Sequence, residues 1–236
     1  LSVTMPHKAV ASASVDRRTP VAEALEAVNC IFWDGDRLVG DNTDAAGFLD
    51  ALRSDHGVDV AGRRCVLVGA GGAGRAVAWA LGRAGAAEVV VVNRSRHRAE
   101  WAARLAGEVG RVGGAGDVPR ADLLVNATPL GMGGSGPEAL SIDPDAVHPG
   151  QVVVDLIYHP PTTPLLAAAA GRGAQVVNGL GMLVHQAAHA FRHWTADEPP
   201  LAMMAEAARS ELERRGQSPA DSTGVHPTVQ PDGKDP

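Results

Sequence analysis

Between about Arg63 and Asn178 the hydrophobic and polar positions fall into two alternating textures. Short continuous apolar runs, "CVLVGAG", "EVVVVN", "DLLVNATP", "QVVVDLIYHP" and "AQVVN", are separated by alanine-rich stretches such as "GRAVAWALGRAG", "SRHRAEWAARLAG" and "TPLLAAAAGRG". β-Branched runs without polar alternation predict strands buried on both faces, and the stretches between them predict helices that cover a parallel sheet. The pattern therefore predicts an α/β fold with a Rossmann-type, doubly wound parallel sheet.

Either side of this region the pattern changes. Residues 1–46 predict a strand at 2–5, a helical stretch near 20–27 and a hairpin within "AVNCIFWDGDRLVGDN", turned at Asp34-Gly35. Residues 181–214 read as helical throughout. The simplest layout is a smaller, discontinuous α/β domain, residues 1–46 with 183–214, interrupted by a nucleotide-type domain over 47–182. Residues 215–236 are polar and rich in Pro and Gly, which predicts a disordered tail.

Composition narrows the partners. A chain of 236 residues can bury one large or two modest cores, and with 3% aromatics Ala, Val and Leu must fill them. A net charge of −6 argues against a general nucleic-acid binder. Cys30 and Cys65 are too few for a disulfide framework and fit a reducing cytosol as packing residues. No apolar run approaches the roughly 18 residues of a membrane span. The expectation is a cytoplasmic protein with neither nucleic acid nor membrane as partner. Its oligomeric state is left open, with a homodimer as the candidate assembly.

The glycine-rich stretch "VLVGAGGAGRA" holds Gly69-x-Gly71-x-x-Gly74 directly after a predicted strand and at the start of a predicted helix. In that context Gly69 permits a tight turn and Gly71 lets the backbone approach a pyrophosphate. Gly74 lets helix and strand pack closely, and the helix N-terminus offers free N–H groups to the anion. A dinucleotide without a 2′-phosphate calls for a carboxylate some 20 residues further on. Here the next strand ends in "VVNRSRHR", so Asn93 is followed by Arg94, Ser95, Arg96 and Arg98. Guanidinium groups grip phosphate bidentately, which points to a 2′-phosphate pocket and to NADP rather than NAD.

Of 21 basic residues only Lys8 and Lys234 are lysines. A lysine can surrender its proton inside a protein and an arginine cannot, so Lys8 is a candidate general acid or base. Asn42, Thr43 and Asp44, at the start of a predicted helix, read equally as a cap or as a functional carboxylate group. His185, His189 and His193 fall four apart, but Gln186 stands where a zinc-type HExxH helix carries glutamate. No metal is expected there, and the histidines read as a solvated face. Leu183, Ala187, Ala190 and Trp194 read as the neighbouring apolar stripe.

Taken in order and spacing, "VTMPHK", "EAVN", "GDNTDAAGF", "GAGGAGRA", "NRSRHR", "NATPLGM", "DLIYHPPTTPLL" and "NGLGMLVHQAAHAF" resemble the shikimate dehydrogenase family over residues 2 to about 197. The resemblance implies an NADP-dependent oxidoreductase that interconverts 3-dehydroshikimate and shikimate on the route to the aromatic amino acids. It implies Lys8 as the proton donor and acceptor, paired with Asp44. Thr4, Asn29, Tyr158 and Gln186 would hold substrate hydroxyls or carboxylate. Gly69, Ala70, Gly71, Gly72 and Ala73 would form the pyrophosphate loop. Asn93, Arg94, Ser95 and Arg98 would contact the adenosine phosphate. Thr128, Leu156, Gly179 and Met182 would line the cofactor toward its nicotinamide.

Some features depart from the family. A strand-led segment with a Ser-x-Ser pair normally precedes the "VTMPHK" motif, so the resemblance implies a truncation at Leu1. Glu26 stands where the family has glycine, and Cys30 where it has threonine. Two alternatives stay open: an enzyme that also takes quinate, and a truncated, non-catalytic NADP-binding paralogue.

Overall fold

The computed structural model describes residues 1–4, 6–132 and 142–216. Its larger sheet holds β4 (Arg64–Val68), β5 (Glu88–Val92), β6 (Gly110–Val112), β7 (Leu123–Asn126), β8 (Val152–Asp155) and β9 (Gln175–Asn178). All six run parallel, in the order β6-β5-β4-β7-β8-β9. The chain reverses direction across the sheet between β4 and β7, and the crevice at such a reversal is where α/β folds bind ligands. Helices α4 (Gly72–Arg83), α5 (Arg96–Leu105) and α6 (Pro164–Gly171) supply crossovers.

Period-two geometry explains the continuous apolar runs. Cys65 and Leu67 of β4 pack on one face of the sheet with Leu81 and Val89, while Val66 and Val68 pack on the other with Leu124 and Leu165. Burial pushes the Cys30 thiol up to about 11 and the Cys65 thiol up to about 12. The sixth strand, β6, has no apolar run to announce it. Arg111 at its centre bonds Glu88 and Asp117, each at 2.7 Å, so side-chain ion pairs fasten this edge.

The smaller sheet has the order β1-β3-β2, from β1 (Arg17–Arg18), β2 (Cys30–Asp34) and β3 (Arg37–Asp41). β2 and β3 form the expected hairpin, and Gly35 takes φ +64° in its turn. The strand expected at 2–5 is reduced to one bridge, Ser2 to Cys30, flanked by backbone bonds from Val3 to Asn29 and from Ile31 to Leu1. Met5 lies outside the described residues. Residues Lys8–Ala13 form a short helix, α1, that the hydrophobic pattern does not announce.

Helix α2 (Pro20–Leu25) starts on Thr19, whose hydroxyl accepts the Ala22 N–H, and stops earlier than expected. Glu26 ends it in the left-handed region at φ +49°. That conformation costs a non-glycine residue about 1–2 kcal/mol, partly offset by the greater chain entropy a glycine loses on folding. Glu26→Gly is therefore expected to raise stability by roughly 0.5–1 kcal/mol, or about 1–4 °C in thermal denaturation. A lower melting temperature would show that the Glu26 side chain stabilises more than its backbone strains.

The C-terminal region corrects the expectation of one helix over 181–214. Helix α7 (Leu180–Thr195) ends at Ala196, which sits at φ +60°, and α8 (Leu201–Gly216) begins after Pro199 and Pro200. Residues 215 and 216 close α8, and the rest of the expected disordered tail lies outside the described residues.

α7 packs against α3 (Asp44–Asp50) and the π-helical turn that continues it (Ala51–Asp55). The two segments meet at Gly47 and Gly181: a Cβ on Gly47 would lie 2.6 Å from the Gln186 backbone nitrogen, and one on Gly181 2.8 Å from Asp55.

This packing overturns two expectations about α7. The three histidines are not a freely solvated face: each pairs with an aspartate, and only His193 among them is exposed. His185 is buried against Asp55 at 3.0 Å, His189 meets Asp50 at 2.7 Å and His193 meets Asp41 at 2.8 Å. Nor does the stripe through Leu183, Ala187, Ala190 and Trp194 form the core as a unit, since only Ala190 of the four is buried. Val184, His185, Ala188 and Ala190 are the buried positions, whereas Trp194 is exposed and donates to the Ile31 carbonyl. The partner segment bears aspartates, so the face it buries is partly polar.

Candidate active site

Lys8 opens α1, and its carbonyl accepts the Val28 N–H at 2.9 Å, so the chain holds this residue from behind. Its Nζ lies 2.5 Å from Asp44 Oδ2, with both side chains largely shielded from solvent. Asp44 begins α3 but does not spend its carboxylate on capping. The Asn42 amide oxygen caps instead, accepting the Asp44 N–H at 3.1 Å, while Asn42 donates to the Ala27 carbonyl. That frees the Asp44 oxygens for Lys8 and for Asn29, whose Nδ2 donates to Oδ1 at 2.8 Å. The Asn29 amide oxygen accepts the Thr43 N–H at 2.8 Å, and the Gln186 Oε1 stands 3.4 Å from Asn29 Nδ2. Of the two readings open at Asn42-Thr43-Asp44, the cap falls to Asn42 and the charge pairing to Asp44.

Lys8, Asn29, Asp44 and Gln186 border a cavity of about 280 Å³. Thr4, Lys8, Asn29, Asp44, Tyr158 and Gln186 all line it, so the six polar positions named from sequence meet in one place. Ala73 from the glycine loop borders the same space, as do Leu156, Gly179 and Met182. Ser2, Val3 and Leu183 complete the wall, although none of the three is a site candidate from the sequence. Gly179 is required here by space: a Cβ on it would fall 2.0 Å from the Leu156 carbonyl oxygen.

The remaining cofactor candidates lie on the loops that follow β4, β5 and β7. Gly69 takes φ +106°, and a Cβ there would strike Thr128 and Ala127. Gly74 packs so tightly that its Cβ would come within 2.1 Å of the Gly69 carbonyl oxygen. Gly71 and Gly72, in contrast, have nothing within 4 Å of a built Cβ, so their outer side is free for a ligand against the N-terminus of α4. Asn93 holds the loop by accepting the Ala70 N–H at 3.2 Å. Arg94, Ser95 and Arg98 are exposed beside it, whereas Arg96 is taken by Glu100 at 2.9 Å. Thr128 bonds back to the Asn126 amide oxygen through both its N–H and its hydroxyl. An open glycine cradle at a helix N-terminus, with free guanidinium groups and no carboxylate at the end of β5, fits a dinucleotide carrying a 2′-phosphate.

Behind the site sits a carboxylate that sequence reasoning did not single out. Asp155 is fully buried and accepts from Asn126 Nδ2, Thr163 Oγ1 and the Ile157 N–H at 2.9, 2.7 and 3.1 Å. Burial pushes its carboxyl above the usual range, and those three donors oppose the shift. Through Asn126 it ties the Thr128 turn to the segment bearing Leu156 and Tyr158. The aspartate of "DLIYHPPTTP" was the available signal. Among the described residues no group of three or more His, Cys, Asp or Glu is arranged to hold a metal ion, and no helix is long and apolar enough to cross a membrane.

Comparison with known proteins agrees with this chemistry. Residues 51–122 match the family described as shikimate / quinate 5-dehydrogenase, and residues 179–209 match the shikimate 5′-dehydrogenase C-terminal domain. The shikimate dehydrogenase (NADP(+)) of Moorella thermoacetica is 44% identical over 229 residues, covering 93% of this chain and 77% of that protein. The shikimate 5-dehydrogenase of Thermus thermophilus, solved with NADP(H) and shikimate, superposes with a TM-score of 0.81 at 40% identity, covering 89% of this chain and 78% of that one. The Listeria monocytogenes enzyme, solved with shikimate and NAD, gives 0.80 at 30% identity over 87% and 76%.

Proposed function

Because the chain belongs to the shikimate dehydrogenase family, we propose that its cavity carries out the NADP-dependent interconversion of 3-dehydroshikimate and shikimate, with Lys8 as the proton-transfer group. The observation that carries this reading is a single cavity bordered at once by the Lys8–Asp44 pair and by Ala73, Gly179 and Met182 on the nucleotide side. In the proposed division, residues 1–46 and 183–214 hold the substrate and residues 47–182 hold the cofactor.

Ketone reduction adds a hydride to carbon and a proton to oxygen, and alcohol oxidation removes both. NADP, when bound, supplies the hydride chemistry. Gly69, Ala70, Gly71, Gly72 and Ala73 would cradle its pyrophosphate, with Asn93, Arg94, Ser95 and Arg98 at the adenosine phosphate. Thr128, Leu156, Gly179 and Met182 would flank the rest of it.

Lys8 gives its Nζ proton to the carbonyl oxygen in reduction and takes the hydroxyl proton in oxidation. Asp44 fixes the amine and, through its partnership with Asn29, presents an acceptor to a neighbouring substrate hydroxyl. Thr4, Asn29, Tyr158 and Gln186 orient the hydroxyls and carboxylate of the ring. This alignment places the proton donor before the reaction begins, which is what a positioned general acid contributes.

The test follows nicotinamide absorbance with shikimate or quinate, each with NADP or NAD. Shikimate with NADP should turn over, at a kcat/KM exceeding that with NAD by about tenfold or more, the factor expected of one charge-assisted phosphate contact. The quinate arm matters because the matched family is described by both polyols. Faster turnover of quinate than of shikimate would move the substrate assignment, and inactivity in all four arms would overturn the reading.

A further inference from the structure

We infer that Arg75 is a positioning residue that couples the glycine loop to the Lys8–Asp44 pair by strapping helix α4 to the end of helix α2. The inference rests on the function proposed above. Arg75 lies in the first turns of α4, just beyond the glycine loop, where a cation opposes the helix dipole and gains nothing locally. Its Nη1 instead crosses to the smaller sheet's side and donates to the Leu25 carbonyl at 3.0 Å. That carbonyl ends α2, among the groups a helix leaves without an internal partner. The guanidinium also stacks over Trp101 of α5, 4.1 Å from the ring centroid. Burial lowers its pKa, with Glu26 opposing and Arg98 reinforcing that shift.

The strap ends where the site begins. Four residues after Leu25 comes Asn29, whose amide holds Asp44 at 2.8 Å, and between them the Val28 N–H holds the Lys8 carbonyl at 2.9 Å. Arg75 therefore fixes the segment from which both partners of the proton-transfer pair are suspended. It is anchored to the helix whose N-terminus faces the cofactor site. Its proximity to Arg98 raises a rival role, direct contact with the 2′-phosphate. The geometry favours the strap, because the donating nitrogen is already committed to Leu25 and the guanidinium plane to Trp101.

The decisive variants are Arg75→Met, which keeps a long side chain on Trp101 but loses the donor, and Arg75→Lys, which keeps charge and a donor. For Arg75→Met, kcat with shikimate should fall roughly tenfold, the scale of a small misplacement of a reacting group. The NADP dissociation constant should stay within about twofold, and the NADP-to-NAD ratio of kcat/KM should be unchanged. Arg75→Lys should recover part of kcat. Amide hydrogen exchange at Val28 and Asn29 in the cofactor-free Arg75→Met chain should quicken about fivefold or more. This readout decides the strap even if wild-type chain fails to turn over shikimate. A loss confined to NADP would make Arg75 a phosphate ligand, and unaltered exchange with unaltered kcat would remove it from both roles. Should Arg75→Met not fold, Trp101→Phe thins the stacking while leaving the Leu25 bond available, and it should quicken the same two amides by a smaller factor; unchanged exchange there would count against the strap.

Discussion

Lys8→Met is expected to lower kcat for shikimate oxidation by about a thousandfold, inside the range of roughly 10²–10⁴ for a positioned general acid or base. Affinity for NADP should change by less than about twofold, because Lys8 pairs with Asp44 on the substrate side of the cavity and the Arg94–Arg98 stretch does not border it. The companion Lys8→Arg separates proton transfer from charge. Arginine retains a cation opposite Asp44, within reach of the carboxylate that now sits 2.5 Å from the amine, but it does not surrender a proton. Steady-state kinetics on both variants, with NADP binding followed by fluorescence titration, settle the matter. Near-wild-type turnover by Lys8→Arg would mean that this side chain supplies charge only and that the proton travels by another route.

Gly47→Ala is the second large effect, and it lies on a residue that never touches substrate. An alanine in a helix gains about 1 kcal/mol over glycine. Here its methyl would lie 2.6 Å from the Gln186 nitrogen and 2.8 Å from its Cα, both backbone atoms that no rotamer change can move. Overpacking of that kind costs about 1–3 kcal/mol, so the net change should be a loss of up to about 2 kcal/mol and a melting temperature lowered by as much as about 8 °C. The functional cost should exceed the stability cost. α3 carries Asp44 and α7 carries Gln186, so parting the helices widens the site across its polar wall. A drop of about a hundredfold in kcat/KM for shikimate is expected, with NADP affinity held within about threefold. Wild-type kcat/KM in a folded Gly47→Ala chain would show that Gln186 and Asp44 need no fixed separation.

What could be read from the sequence was what local chemistry encodes. The glycine loop, the missing carboxylate after β5 and the lone early lysine each declare themselves within a few residues. Five of the six parallel strands announce themselves as apolar runs, and the sixth is fastened by Arg111 instead of by hydrophobic burial. Long-range pairings had no such signature. Arg75 finds Leu25 across 50 positions. His185 finds Asp55 across 130, which is why a helical period could suggest a face but not what that face would meet. The same reason hid the strap and the role of Asp155. Proline pairs do mark ends, and Pro199-Pro200 is a local stop that the expectation of one helix over 181–214 passed over; the left-handed Ala196 before it had no signal, since alanine seldom takes that conformation.

The two cysteines give the fold an unplanned convenience. One is sealed in the hairpin sheet and the other in the parallel sheet, and both are held far from the thiolate state that alkylating reagents attack. While the fold is intact, such reagents are blind to the chain. Once either half opens, its own sulfur becomes visible, so Cys30 and Cys65 act as separate tamper seals on the two halves of the molecule. The order in which they break tells which half lets go first.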